Sequence, residues 1–149
     1  MSGGSGTAVH DPADGAAGVR VPRTLTDELV HAARAGAPLE ICGLLVGSGD
    51  TVSAHYPLPN ASASEVHYSI APEDQLSAYL RAREEDLEVL GVYHSHPASP
   101  ARPSATDIAQ AYDPEALHVI VSLLGDAEMR AYRIREGTAE EVRLIIEEG

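Results

Sequence analysis

Apolar positions along this chain switch between a period near 3.6 and a period near 2, the spacings of helix and strand. In RTLTDELVHAARAG, Leu25, Leu29, Val30 and Ala33 recur at helical spacing, with Thr26 as the expected cap and Gly36 as the stop. PLEICGLLVGSGD reads as a short apolar strand ending in a turn signal, and TVSAHYPL as the second arm of that hairpin. SEVHYSI is a further strand-like piece. The helix predicted next, APEDQLSAYLRAREED, carries Leu76, Tyr79, Leu80 and Arg83 on related faces. LEVLGVYHSH is a strand, SATDIAQAY a short helix, and LHVIVSLL, EMRAYRI and EVRLIIE are three closing strands. The alternation predicts an α/β (α+β) domain, a mixed, largely antiparallel sheet flanked by helices. The order of elements is legible; the pairing of strands is not.

Residues 1–19 are small, polar and rich in Gly, Ala and Ser, with too little apolar surface to offset the cost of ordering them. They are expected to form a disordered tail, leaving residues 20–149 as one domain. Its length suffices for a real core without covalent staples. The net charge of −13 disfavours nucleic acid and anionic membrane surfaces, both of which repel such a protein. All ten basic residues are arginine. One cysteine, Cys42, excludes an internal disulfide and any zinc site built on several thiolates. No apolar run approaches the ~20 residues of a membrane span, and the N-terminus lacks the basic and apolar regions of a secretory signal. A reduced, cytoplasmic location is expected.

The stretch GVYHSHPASPARPSATD, residues 91–107, concentrates the candidate chemistry. His94 and His96 sit two apart at a strand end, so both imidazoles project to one face and Ser95 to the other. Two imidazoles on one face can begin a zinc site, which takes histidine nitrogen and carboxylate oxygen at ~2.0–2.2 Å. Asp107, in the first turn of the next helix, is the candidate third ligand, leaving a fourth position open as catalytic sites do. A second reading stands beside this one. Ser104 to Asp107 also fits a helix-capping box, with Ser104 at the N-cap and an acidic residue three positions on. The two readings are compatible. Pro97, Pro100 and Pro103 stiffen the connector in extended form; a PxxP ligand is the alternative.

His94-Ser95-His96, seven intervening residues, then Ser104-x-x-Asp107 resembles the JAMM (MPN+) metalloprotease motif with every spacing intact. The upstream EICGLLVG, Glu40 to Gly47, resembles the same family's glutamate-bearing strand. The resemblance runs from about Val19 to the C-terminus and matches the compact, prokaryotic stand-alone members, so it implies a JAB1/MPN-like fold. It further implies one Zn²⁺ per chain on His94, His96 and Asp107. Glu40 would act as general base and then general acid, and Ser104 as a donor to the developing oxyanion. The implied activity is hydrolysis after the C-terminal Gly-Gly of a ubiquitin-like or sulfur-carrier protein, the partner in this reading. NASASEVHYSI, residues 60–70, is the candidate strand flanking that tail.

Two alternatives remain open at this level: a zinc hydrolase of small-molecule amides on the same fold, and a non-catalytic binding module. Cys42 shares the face of Glu40 if that segment is a strand, and is expected to be a buried small residue rather than a nucleophile. His10, His31, His55, His67 and His118 show no ligand spacing among themselves. Other zinc-hydrolase, deaminase and serine-hydrolase signatures are absent.

Overall fold

The computed structural model describes residues 8–9 and 18–148. Most of the expected tail lies outside the described residues. The elements are β1 (Ala8–Val9), β2 (Val19–Pro22), α1 (Arg23–Gly36), β3 (Cys42–Ser48), β4 (Thr51–Leu58), α2 (Pro72–Glu84) and β5 (Glu88–His96). They continue with α3 (Ala105–Gln110), β6 (Leu117–Ser122), β7 (Glu128–Arg135), β8 (Thr138–Val142) and β9 (Leu144–Glu147). One mixed sheet contains all the strands, in the order β1-β7-β6-β5-β3-β4-β2-β9, with β8 paired to β7. The long ladders β3–β4, β3–β5 and β6–β7 are antiparallel. The β5–β6 pair is parallel, joined by a crossover that carries α3.

The two faces of the sheet are packed differently. On one, Leu25, Leu29, Val30 and Ala33 of α1 meet Leu45, Tyr93, Val119, Val121 and Met129 in the main core. On the other, α2 lies over Leu44, Val46 and Tyr56 through Ala78 and Ala82. Gly91 permits the close β5–β6 approach at the centre, since a Cβ there would lie 2.0 Å from the Leu117 carbonyl oxygen.

Several expectations change in three dimensions. Thr26 does not cap α1; Pro22 occupies that position, and the Thr26 hydroxyl donates to the Arg23 carbonyl at 2.8 Å from within the helix. Val19, at the end of the expected tail, already belongs to β2 and is buried. EVRLIIE is two strands: β8 pairs with β7 while β9 pairs with β2, the chain crossing between them at Arg143. The sheet therefore curls until both ends face the α1 core, and Val142 and Leu144 join the same cluster. SEVHYSI is not a strand. Its alternating pattern is real, but instead of a ladder its backbone bonds to the Asn60 side chain, which accepts from the Ser69 N–H and donates to the His67 carbonyl, and to the Glu40 and Ala61 N–H groups.

Candidate metal centre

The strand–connector–helix unit around β5 and α3 builds the site. Pleating sends His94 and His96 to the α2 face, while Ser95 turns the other way and its hydroxyl accepts from the Ile41 N–H at 2.8 Å. The Ser95 N–H in turn donates to the Ile41 carbonyl at 3.0 Å. That pair of hydrogen bonds clamps Ile41, the residue next to Glu40, against the strand that carries the histidines.

The proline-rich connector is held by three successive carbonyls. Ser99 accepts from the Ser122 hydroxyl at 2.6 Å, Pro100 from His96 Nδ1 at 2.8 Å, and Ala101 from the Tyr132 hydroxyl at 2.6 Å. A carbonyl can only accept, so Nδ1 of His96 carries a proton, and whenever the ring is neutral it is Nε2 that presents a lone pair. The connector then delivers α3 with its capping box complete. The Ser104 hydroxyl accepts from the Asp107 N–H at 3.0 Å, and Asp107 Oδ2 accepts from the Ser104 N–H at 2.9 Å. The same Oδ2 lies 3.1 Å from His94 Nε2 and 3.2 Å from His96 Nε2, and the two nitrogens are 3.1 Å apart. The cap and the candidate ligand are thus one carboxylate serving both ends.

Among the described residues, His94, His96 and Asp107 are the group whose donor atoms converge as a metal site requires. A tetrahedral ion with bonds of ~2.0–2.1 Å separates its ligand atoms by roughly 3.3–3.4 Å, close to the spacings here. When His96 is neutral, its Nε2 and Asp107 Oδ2 are two acceptors facing each other in a buried space, an arrangement a cation resolves. The donor set fits a divalent metal.

Electrostatics follow the same geometry. Burial alone would push Asp107 up, but hydrogen bonds with the two imidazoles and the Ser104 N–H hold it well below the usual carboxylate range. Burial lowers His94. For His96 burial is outweighed by the Asp107 bond, the Pro100 carbonyl and nearby negative charge, so it rises. Glu40 lies just before β3 and is 4% exposed, with Oε1 lacking a hydrogen-bond partner. Burial raises its carboxyl to about 7, with Asp107 adding and His96 opposing. Cys42 is buried beside this glutamate with its thiol pushed up to about 12 by burial and the Glu40 charge, which removes a thiolate nucleophile.

Two residues escaped the sequence reading. Tyr68 stacks on His94 with ring centroids 4.4 Å apart and planes 24° apart. Asn60 donates to the Glu40 carbonyl at 3.1 Å. No motif marks either one. A groove of about 350 Å³ extends from Asp107 and Tyr68 past Val92 and Leu90 toward Gly49, and Gln75 and Tyr112 lie along it.

A mixed sheet presenting three converging donors beside a buried carboxyl raised to about 7 defines a metal-dependent hydrolase. Residues 22–135 match the family of prokaryotic homologs of the JAB domain. The chain belongs to that family, the stand-alone JAB/JAMM (MPN) metallopeptidases. It is 36% identical over 121 residues to the CysO-cysteine peptidase of Mycobacterium tuberculosis, covering 78% of this chain and 83% of that one. It is 37% identical over 124 residues to the desampylase of Haloferax volcanii, covering 78% and 86% respectively. The solution structure of a Desulfitobacterium hafniense protein superposes with a TM-score of 0.80 at 36% identity, covering 88% of this chain and 94% of that one.

Proposed function

We propose that this protein is a zinc-dependent peptidase or isopeptidase that hydrolyses the bond after the C-terminal Gly-Gly of a ubiquitin-like or sulfur-carrier protein in the cytoplasm. His94, His96 and Asp107 hold one Zn²⁺, for which two imidazoles and a carboxylate are a suitable donor set. When bound, the metal supplies a Lewis acid and brings the pKa of water down to about 7. Glu40 takes the proton of the attacking water on its carboxylate and returns it to the departing amine. Burial raises the Glu40 carboxyl and so strengthens its hold on a proton, which suits that double duty. Ser104, whose hydroxyl oxygen accepts the Asp107 N–H, keeps its own proton free to donate toward the developing oxyanion.

The carrier tail is assigned to the groove on the α2 face. An extended chain rises ~3.3 Å per residue, so the path beside β5 from Leu90 to His94 accommodates about four residues of tail. Glycines suit the metal end, which is lined by the Tyr68 ring and Asp107, because they let a backbone approach closely. The relatives' names, a CysO-cysteine peptidase and a desampylase, support this substrate class.

The observation that carries the proposal is the convergence of three buried donors within 3.2 Å of one another next to an unpartnered carboxyl. Its test is metal analysis of wild type and His96→Ala, beside cleavage of a ubiquitin-like–Gly-Gly fusion. About one zinc per chain with cleavage, both lost in the variant, is the expected result. Cleavage of short amides with the fusion left intact would overturn the substrate assignment.

A further inference from the structure

The two histidines of the centre are held by different means. His96 is oriented by its Nδ1 bond to the Pro100 carbonyl, the usual way in which a ligating imidazole is fixed by its second nitrogen. His94 has no such bond: its Nδ1 is buried without a hydrogen-bond partner. What lies against the ring is Tyr68, nearly parallel to it at 4.4 Å.

Tyr68 comes from the irregular segment between β4 and α2, and that segment is organised by one side chain. Asn60 uses its full amide capacity. Nδ2 donates to the Glu40 and His67 carbonyls, both at 3.1 Å, while Oδ1 accepts from Ser62 N–H at 3.0 Å and Ser69 N–H at 3.1 Å. Flipping the amide would oppose two donors to two donors and two acceptors to two acceptors, so its orientation is fixed. His67 and Ser69 flank Tyr68, so Asn60 grips the backbone on both sides of the stacked ring. A further bond, Glu40 N–H to the Ser64 carbonyl at 2.9 Å, ties the same segment to the residue that carries the carboxyl.

We infer that Tyr68 and Asn60 form a positioning unit, in which the Tyr68 ring fixes the plane of His94 in place of a hydrogen bond and Asn60 locks that ring to the Glu40 backbone. One loop thereby sets both a metal ligand and the proton-transfer group. The inference rests on the reading of His94 as a ligand. The flat face of the ring does the work, so the phenolic oxygen is dispensable and the aromatic plane is not.

The test is zinc affinity by chelator competition, with the visible spectrum of the cobalt-substituted protein, for Tyr68→Phe, Tyr68→Leu and Asn60→Ala. Thermal melts of the metal-free forms check folding. Tyr68→Phe is expected to bind within about twofold of wild type with the same spectrum. Tyr68→Leu, which keeps bulk but not planarity, is expected to lose roughly ten- to a hundredfold in affinity, the usual effect of removing a group that orients a ligand, and to change the cobalt spectrum. Asn60→Ala leaves the Tyr68 side chain intact yet is expected to move affinity and spectrum the same way. Wild-type affinity and spectrum in Tyr68→Leu, or in a folded Asn60→Ala if the leucine variant does not fold, would overturn the inference. A wild type that binds zinc with this Tyr68 dependence but cuts no Gly-Gly fusion overturns the proposed reaction and leaves the positioning unit standing. A wild type that binds no divalent metal overturns both.

Discussion

The two helices that cover the sheet use opposite kinds of surface. α1 buries Leu25, Leu29 and Val30, and the face beneath it is closed. α2 makes its contact with Ala78 and Ala82, while Leu76 is 60%, Tyr79 44% and Leu80 51% exposed. The contact with the strands is made by small residues, and the large side chains remain exposed, with Tyr79 lining the groove that leads to the metal centre. Cohesion is concentrated on the α1 side and chemistry on the α2 side. A buried carboxyl without a hydrogen-bond partner, such as Glu40, is costly to the fold; the closed core opposite supplies the surplus that tolerates it.

That division can be broken from either side. The largest effect is expected from His96→Ala, which removes a ligand together with its Pro100 tether. Metal content should fall to background and cleavage with it, while the far-ultraviolet circular dichroism spectrum of the chelated protein stays unchanged. Glu40→Gln should retain metal yet slow turnover by roughly 10²- to 10⁴-fold, the range for a general base; steady-state kinetics at pH 7 check this. Leu29→Ala, by contrast, should cost about 2–5 kcal/mol in denaturant unfolding and leave metal stoichiometry intact.

Smaller effects sharpen the comparison. Glu40 has a folded value of about 7 against an ordinary 4.5, so the folded state binds its proton more tightly than the unfolded chain. Its contribution is therefore fully present below about 4.5 and is lost as pH rises through 7, by up to roughly 3 kcal/mol in the metal-free protein. Melting of chelated wild type and Glu40→Gln between pH 5 and 8 reads this: the gap should open in favour of the variant as pH rises. The smallest effect is expected for Leu80→Ala, within about 0.5 kcal/mol of wild-type stability because the side chain already faces solvent. Fusion cleavage by that variant should show a higher KM with kcat preserved. An unchanged KM would remove Leu80 from the substrate surface.

Much of the site could be read before folding because its spacing is local. His94 and His96 share a face through strand pleating, and Asp107 sits one stiff connector away, so the sequence specifies three donors within a short stretch. Glu40 was reached through the pattern of the upstream strand rather than through physics, since nothing local shows that a carboxyl ahead of Cys42 will be buried. Tyr68 and Asn60 were invisible for a related reason. SEVHYSI alternates like a strand, and only the capture of its backbone by Asn60 turns it into a loop.

What the chain determined by itself is whatever depends on neighbours in sequence: the period of α1, the β3–β4 hairpin, the face shared by the two imidazoles, and the Ser104–Asp107 cap. The tertiary structure decided everything that depends on which distant segments meet. It split the last apolar run at Arg143 by giving β8 and β9 to opposite ends of one curled sheet. It turned the large apolar residues of α2 outward and set Ala78 and Ala82 against the strands. It also buried Glu40 beside His96 and Asp107, where loss of solvent, a property of no single segment, lifts its carboxyl to the range in which it can exchange a proton.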